Sequence, residues 1–334
     1  MRKLKLPGFG SLGAEIVDVD LATASEDEIL QMGFDHLHDL ITLVRKKHVG
    51  GISLERFHQI CASWAIALPG GAYQVWAGNE RLRERYGDGW WEKRDAMAQE
   101  DRDLLDEATR MTQGIENLLG MVRVTGIRDE EGHHTGMFAD GELEWHSNQQ
   151  GTNEFLPVVG LLAWEGSGGS RTEFVNTVDA YNALSPSWQK TCDELVAVHR
   201  WEENAVAPGL NALQDEILKM NLCPVDGAEV PLIAHSPWGY KGLHFPFTSI
   251  SHFKDMSKEE SKKVVAYLKE HIFRDEFIYG HDWEDGDLMF FDNTVTLHRR
   301  PTKDCSKRLM YRMCFNYDRL LQLQPEPQAH PLTP

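Results

Sequence analysis

Arg308-Leu-Met-Tyr-Arg-Met-Cys-Phe-Asn-Tyr317 is a largely apolar run carrying two arginines four residues apart. Along a β-strand, residues i and i+2 face the same way, so Arg308, Met310 and Arg312 share one face. Two guanidinium groups on one strand face repel unless an anion or a carboxylate sits between them. The run therefore reads as a strand bordering either an anion site or partner acids from elsewhere in the chain. A second strand, Gly286-Asp-Leu-Met-Phe-Phe-Asp292, precedes it. Farther upstream, the hydrophobic period drops to about two from Met121 onward. Met121–Ile127 and Thr135–Phe138 flank Asp129-Glu-Glu-Gly132 in the pattern of a β-hairpin. Glu142–Asn148 and Leu156–Trp164 supply two more strands.

Helices bracket this β-rich stretch. Ser25 and Glu28 form a capping box ahead of an amphipathic run, and Ser257 with Glu260 repeats the pattern. Ser53 opens a second helix, and Ser185-Pro186 opens another with proline at its first position. Ala14–Leu21 and Ile41–Val44 read as early strands. Residues 72–119, dense in charge and carrying Trp76, Trp90 and Trp91, read as a helical insertion, a pad on a sheet or a lid over a site. These elements predict a mainly β chain with appended helices around an antiparallel core. One domain over residues 1–322 is expected, with a loose proline-rich tail over 323–334.

Composition narrows the function. The 334 residues are 41% hydrophobic and 26% charged, which suits a chain that buries a core. No stretch reaches the roughly 20 apolar residues of a membrane span, and the start lacks the apolar segment of a signal peptide. Five cysteines without a CxxC pair read as reduced thiols, so a cytoplasmic setting is expected. The formal charge of −18 repels phosphate backbones and anionic bilayers. A small-molecule partner is expected, not nucleic acid or a membrane, and assembly into a homo-oligomer stays open. The basic exception is local: Arg299, Arg300, Lys303, Lys307, Arg308 and Arg312 lie close together with only Asp304 opposing them.

Among the histidines, His146 stands in Glu144-Trp-His-Ser-Asn148 and His298 in Phe291-Asp-Asn-Thr-Val-Thr-Leu-His298. Strand parity would project Glu144, His146 and Asn148 together. His133-His134 falls in the hairpin turn, and His235, His244 and His252 lack ligand-like spacing. Trp238 and Tyr240 are candidates for core packing or for lining an apolar pocket.

Taken in order, these segments resemble the taurine dioxygenase family of iron(II)- and 2-oxoglutarate-dependent oxygenases, which includes 2,4-dichlorophenoxyacetate dioxygenase. The resemblance runs over most of residues 8–320 except the insertion. It rests on Leu12–Leu21, Trp145-His146-Ser-Asn148, Gly168-Gly-Ser-Arg-Thr172 with Asp179–Leu184, His235-Ser-Pro-Trp238, and Phe291 through His298 with Arg308 and Arg312. It implies a double-stranded β-helix, a jelly-roll barrel with helices outside. It implies Fe(II), 2-oxoglutarate as cosubstrate and O2, with His146 and His298 as metal ligands. Arg308 and Thr172 would hold the distal carboxylate of 2-oxoglutarate, and Arg312 an anionic substrate. The implied reaction oxidises a C–H bond of a small metabolite and yields succinate and CO2.

One position departs from the family pattern. The third ligand of the 2-His-1-carboxylate triad is a carboxylate two residues after the first histidine, and here that place is Asn148. Asn148 could ligate through its amide oxygen or position a water. Glu144 or Asp292 could supply the missing carboxylate. Chloride could bind instead, as in halogenases, although Asn148 fills nearly the volume of an aspartate. A family member without turnover, acting as a ligand-binding or partner subunit, is the competing reading.

Overall fold

The computed structural model describes residues 1–10, 12–46, 51–68, 85–87, 90–103, 121–139, 141–148, 155–200, 227–302 and 304–323. Most of the 72–119 insertion, read as a pad or a lid, and the tail from 324 lie outside these residues. The first strands are β1 (Lys3–Lys5), β2 (Ala14–Ile16), β3 (Ile41–Val44), β4 (Val122–Thr125), β5 (Leu143–His146), β6 (Val158–Glu165) and β7 (Arg171–Asn176). There follow β8 (Val196–His199), β9 (Ala228–Pro231), β10 (Ile233–His235), β11 (Lys241–Leu243) and β12 (Ile250–Phe253). The last are β13 (Ile278–Asp282), β14 (Leu288–Asp292), β15 (Thr296–Arg300) and β16 (Leu309–Phe315).

Two sheets build the barrel. The larger runs β1-β2-β3-β14-β6-β16-β4 and the smaller β13-β7-β15-β5. Among the described strands of these two sheets, β2 pairs with β3 in parallel and the other strand pairs are antiparallel. Met289 and Phe291 of β14 and Met310 of β16 meet Phe174 of β7 in a shared core. This is a double-stranded β-helix.

Period-two alternation decides what each strand shows to each side. In β14, Leu288 and Phe290 face outward, whereas Met289 and Phe291 face the inner core. In β16, Leu309, Tyr311, Met313 and Phe315 face outward, and Met310 and Cys314 inward. Arg308 and Arg312 have the inward parity of Met310.

Helices cover both outer faces. The capping boxes form as expected, with Ser25 and Glu28 starting α1 (Glu26–Asp39). Ser53 caps α2 (Leu54–Trp64). Trp64 fills the space between these helices and the larger sheet, its ring 4.5 Å from that of Phe290, and its Nε1 donates to the Ile29 carbonyl at 2.9 Å. On the smaller sheet, α3 (Thr177–Asn182), α4 (Pro186–Glu194) and α5 (Lys258–Ile272) pack over Trp145, Val175 and Leu297. The closing helix α6 (Asp318–Leu323), absent from the sequence reading, returns Leu320 to the cluster around Trp64. Ala14–Leu21 forms a shorter strand than expected, because β2 ends at Ile16. Cys61, Cys192, Cys305 and Cys314 are buried free thiols. Among the described residues, no helix is long and apolar enough to cross a membrane.

Three histidines away from the smaller sheet's inner face, His36, His199 and His244, are also buried, and burial holds their pKa values at about 4, 3 and 4. In the unfolded chain an imidazole titrates near ~6.5. Each of these groups therefore contributes stability that is complete above about pH 6.5 and is lost as the pH falls toward about 4. The loss is ~3 kcal/mol for His36 and His244 and ~5 kcal/mol for His199, whose fall continues to about pH 3. Asp292 acts in the opposite sense. Burial raises its pKa to about 6, so its folded form gains a proton first and offsets about one histidine. Thermal melts should show a steep fall in Tm between pH 6.5 and 4.5; a flat Tm over that range would contradict this account.

Candidate active site

The inner face of the smaller sheet brings the two singled-out histidines together. His298 on β15 pairs directly with His146 on β5 and, on its other side, with Phe174 on β7. The two imidazole centroids are 4.2 Å apart. Burial lowers the pKa of His146 to about 4, assisted by the charges of Arg312 and Arg300. Burial, His146 and Arg312 drive His298 well below the usual imidazole value. Both rings are thus neutral near pH 7, the form that binds a metal. His146 Nδ1 lies 2.6 Å from the Glu144 carbonyl, which can only accept, so Nδ1 carries the proton and Nε2 keeps its lone pair. His298 Nδ1 is buried without a hydrogen bond.

All six residues selected from the sequence line one cavity between the sheets: His146, Asn148, Thr172, His298, Arg308 and Arg312. Val124, Phe138, Leu143, Leu161 and Met310 give it apolar walls. Trp238 and Tyr240 pack around His38 and are not among the lining residues.

Two proposed substitutes for the missing carboxylate are corrected by the structure. Arg300 of β15 pairs with Leu143, whereas His298 pairs with His146, so two steps on one strand match three on the other. The extra residue is a β-bulge, and it breaks the alternation. Leu143 and His146 consequently both reach the cavity, while Glu144 is exposed and does not line it. The carboxylate of Asp292 accepts the backbone N–H groups of Thr294 and Val295, holding the turn between β14 and β15. It too is absent from the lining. Among the described residues, no histidine, cysteine, aspartate or glutamate completes a group of three with His146 and His298.

Asn148 follows β5 and is fixed by its backbone. Its N–H donates to Asn293 Oδ1 and its carbonyl accepts from Asn293 Nδ2, both at 2.9 Å. Its side-chain Oδ1 accepts from Arg312 Nη1 at 2.8 Å. Arg312 also lies over the Phe138 ring, 5.0 Å from its centroid. Phe138 adopts φ 54°, an uncommon conformation for a non-glycine residue, and Arg300 braces that turn. The Arg300 guanidinium donates to the carbonyls of Phe138 and Gly141 at 2.7 and 2.8 Å.

Arg308 is 3% exposed, and Nη1 donates to Ser170 Oγ at 3.0 Å. Nε and Nη2 are buried without hydrogen-bond partners. These two donors form one edge of the planar fork, the shape that takes a carboxylate with two parallel hydrogen bonds. Thr172 lines the same cavity, and its Oγ1 accepts from Trp283 Nε1 at 2.9 Å, so its own O–H remains a donor. The donor set therefore fits its expected occupants. Two neutral imidazoles suit iron(II), and an unpaired guanidinium edge beside a hydroxyl suits the distal carboxylate of an oxo-acid.

Residues 98–314, more than half of the chain, match the family model described as taurine catabolism dioxygenase TauD, TfdA family. The chain belongs to the TauD/TfdA family. Members of this family use iron(II), 2-oxoglutarate and dioxygen. Among relatives, the alpha-ketoglutarate-dependent 2,4-dichlorophenoxyacetate dioxygenase of Burkholderia sp. (strain RASC) is 30% identical over 55% of this chain and 61% of its own length. Pentalenolactone F synthase of Streptomyces arenae is 24% identical over 61% of the chain and 71% of that protein. The crystal structure of AAD-2 in complex with Mn(II) and N-oxalylglycine superposes with a TM-score of 0.66 at 18% identity, covering 94% of this chain and 97% of that one. That likeness carries the TauD/TfdA fold.

Sequence reasoning assigned no role to Arg300, Ser170, Trp283 or Asn293. Asn293 stood inside a quoted motif, but its contact is with a backbone 145 positions away. The partners of Arg300 are main-chain carbonyls 159 and 162 positions away, which no side-chain pattern reveals.

Proposed function

We propose that this chain is an iron(II)/2-oxoglutarate-dependent oxygenase that oxidises a C–H bond of a small, carboxylate-bearing molecule, releasing succinate and CO2. The observation that carries the reading is Arg308, a buried cation with one donor edge open, in the same cavity as two neutral, paired imidazoles. His146 and His298 would hold the metal, with Asn148 at the third protein position. Iron bound there supplies, with 2-oxoglutarate and dioxygen, the oxidant.

The remaining roles belong to the protein. Arg308 and the Thr172 hydroxyl bind and orient the distal carboxylate of the cosubstrate. The Glu144 carbonyl fixes the tautomer of His146. Asn293 holds the Asn148 backbone in register with β15. Arg312 supplies a positive charge beside apolar Phe138, Leu161 and Met310, which suits an acid group on an apolar body.

The test is succinate release from 2-oxoglutarate in the presence of small carboxylic acids and of their uncharged amides. Acids should stimulate turnover and amides should not. Equal stimulation by both would remove Arg312 from substrate recognition.

A further inference from the structure

Asn148 poses a problem of oxygen supply. A guanidinium has donors only, so the amide must present its oxygen to Arg312, and the 2.8 Å contact is of that kind. The amide nitrogen Nδ2 is then the other end of the side chain, buried and without a hydrogen bond. An amide nitrogen offers no lone pair suited to a metal. The single donor atom that Asn148 could give a metal is therefore the one Arg312 already holds. An aspartate would have two oxygens, one for each partner. An asparagine has one, and a metal ion sharing it with a guanidinium would place two cations on one neutral acceptor. A flip of the amide offers no escape, because it would turn the Nδ2 donors toward a guanidinium that cannot accept them, while Asn293 holds the backbone in place. Asn148 and Arg312 are 5% and 7% exposed, so water screens this competition weakly.

We propose that Arg312 competes with the metal for the side-chain oxygen of Asn148, which makes metal retention dependent on an anion at Arg312. The proposal rests on the metal placement given above. A carboxylate arriving at Arg312 takes its donors in a bidentate pair and cancels its charge. The amide oxygen is then available to the metal. By linkage, the acid tightens the metal and the metal tightens the acid by the same factor. Arg312 is in this sense a positioning residue as well as a substrate contact: the resting site holds its metal loosely until an acid is present.

Mn(II) binding, followed through the electron paramagnetic resonance signal of the free ion, tests the pair without turnover or a known substrate. The parent, R312M, N148A and the double variant are compared with N-oxalylglycine present throughout, and thermal melts verify folding. Removing the guanidinium by R312M should tighten Mn(II) about tenfold when Asn148 is present. The gain should shrink to about twofold in the N148A background, where only the charge effect remains. N148D should bind Mn(II) more tightly than the parent and respond less to R312M. If R312M is unstable, R312Q provides the same comparison with an uncharged side chain. Equal gains in the Asn148 and N148A backgrounds would overturn the proposed competition while leaving the metal site in place. Absence of Mn(II) binding in every variant would instead overturn the metal placement, and the competition with it.

Discussion

Replacing Arg308 by methionine is expected to weaken 2-oxoglutarate binding by about 100-fold or more, ~3 kcal/mol, while leaving the fold intact. The two effects separate because they have different origins. In the free protein, Arg308 is a buried cation whose Nε and Nη2 make no hydrogen bond, while its Nη1 donates to Ser170 Oγ. An unpaired buried charge is costly, and an apolar side chain of similar volume removes that cost. The Tm of R308M should therefore equal or exceed that of the parent. With the cosubstrate bound, the same donors meet a carboxylate, and methionine offers nothing in return. Calorimetry with 2-oxoglutarate and Mn(II) reads the affinity. Unchanged binding would take Arg308 out of the cosubstrate site.

His298→Ala is expected to lower Mn(II) affinity by more than about 100-fold, beyond the loss typical of an outer-shell partner. His298 sits between His146 and Phe174 in the β15 register, so no neighbouring ring can take its place. The substitution also removes a half-buried imidazole that resists protonation, which makes H298A less acid-labile than the parent. Opposite shifts in metal affinity and acid stability separate a ligand from a packing residue. A variant that bound Mn(II) like the parent would show that the metal lies elsewhere.

What could be read in advance followed from locality. The capping boxes at Ser25 and Ser257 depend on residues three apart, and both form. The inward parity of Arg308, Met310 and Arg312 depends only on the strand period, and all three line the cavity. Parity failed at Glu144 because the bulge in β5 is a property of its pairing with β15, not of its own sequence. The bracing of Phe138 by Arg300 was hidden for a similar reason, since it joins a side chain to distant carbonyls. The contact between Arg312 and Asn148 spans 164 positions and appears only when both sheets are in place. The asparagine itself was visible as a departure from the family pattern; its engagement by an arginine was not.

The cavity is expected to assemble iron(II) with 2-oxoglutarate for oxidation. Adding both to the protein without oxygen should produce the visible metal-to-ligand charge-transfer band of the chelate, and admitting oxygen should bleach it with release of succinate. No band and no succinate, with small carboxylic acids present or absent, would contradict the account.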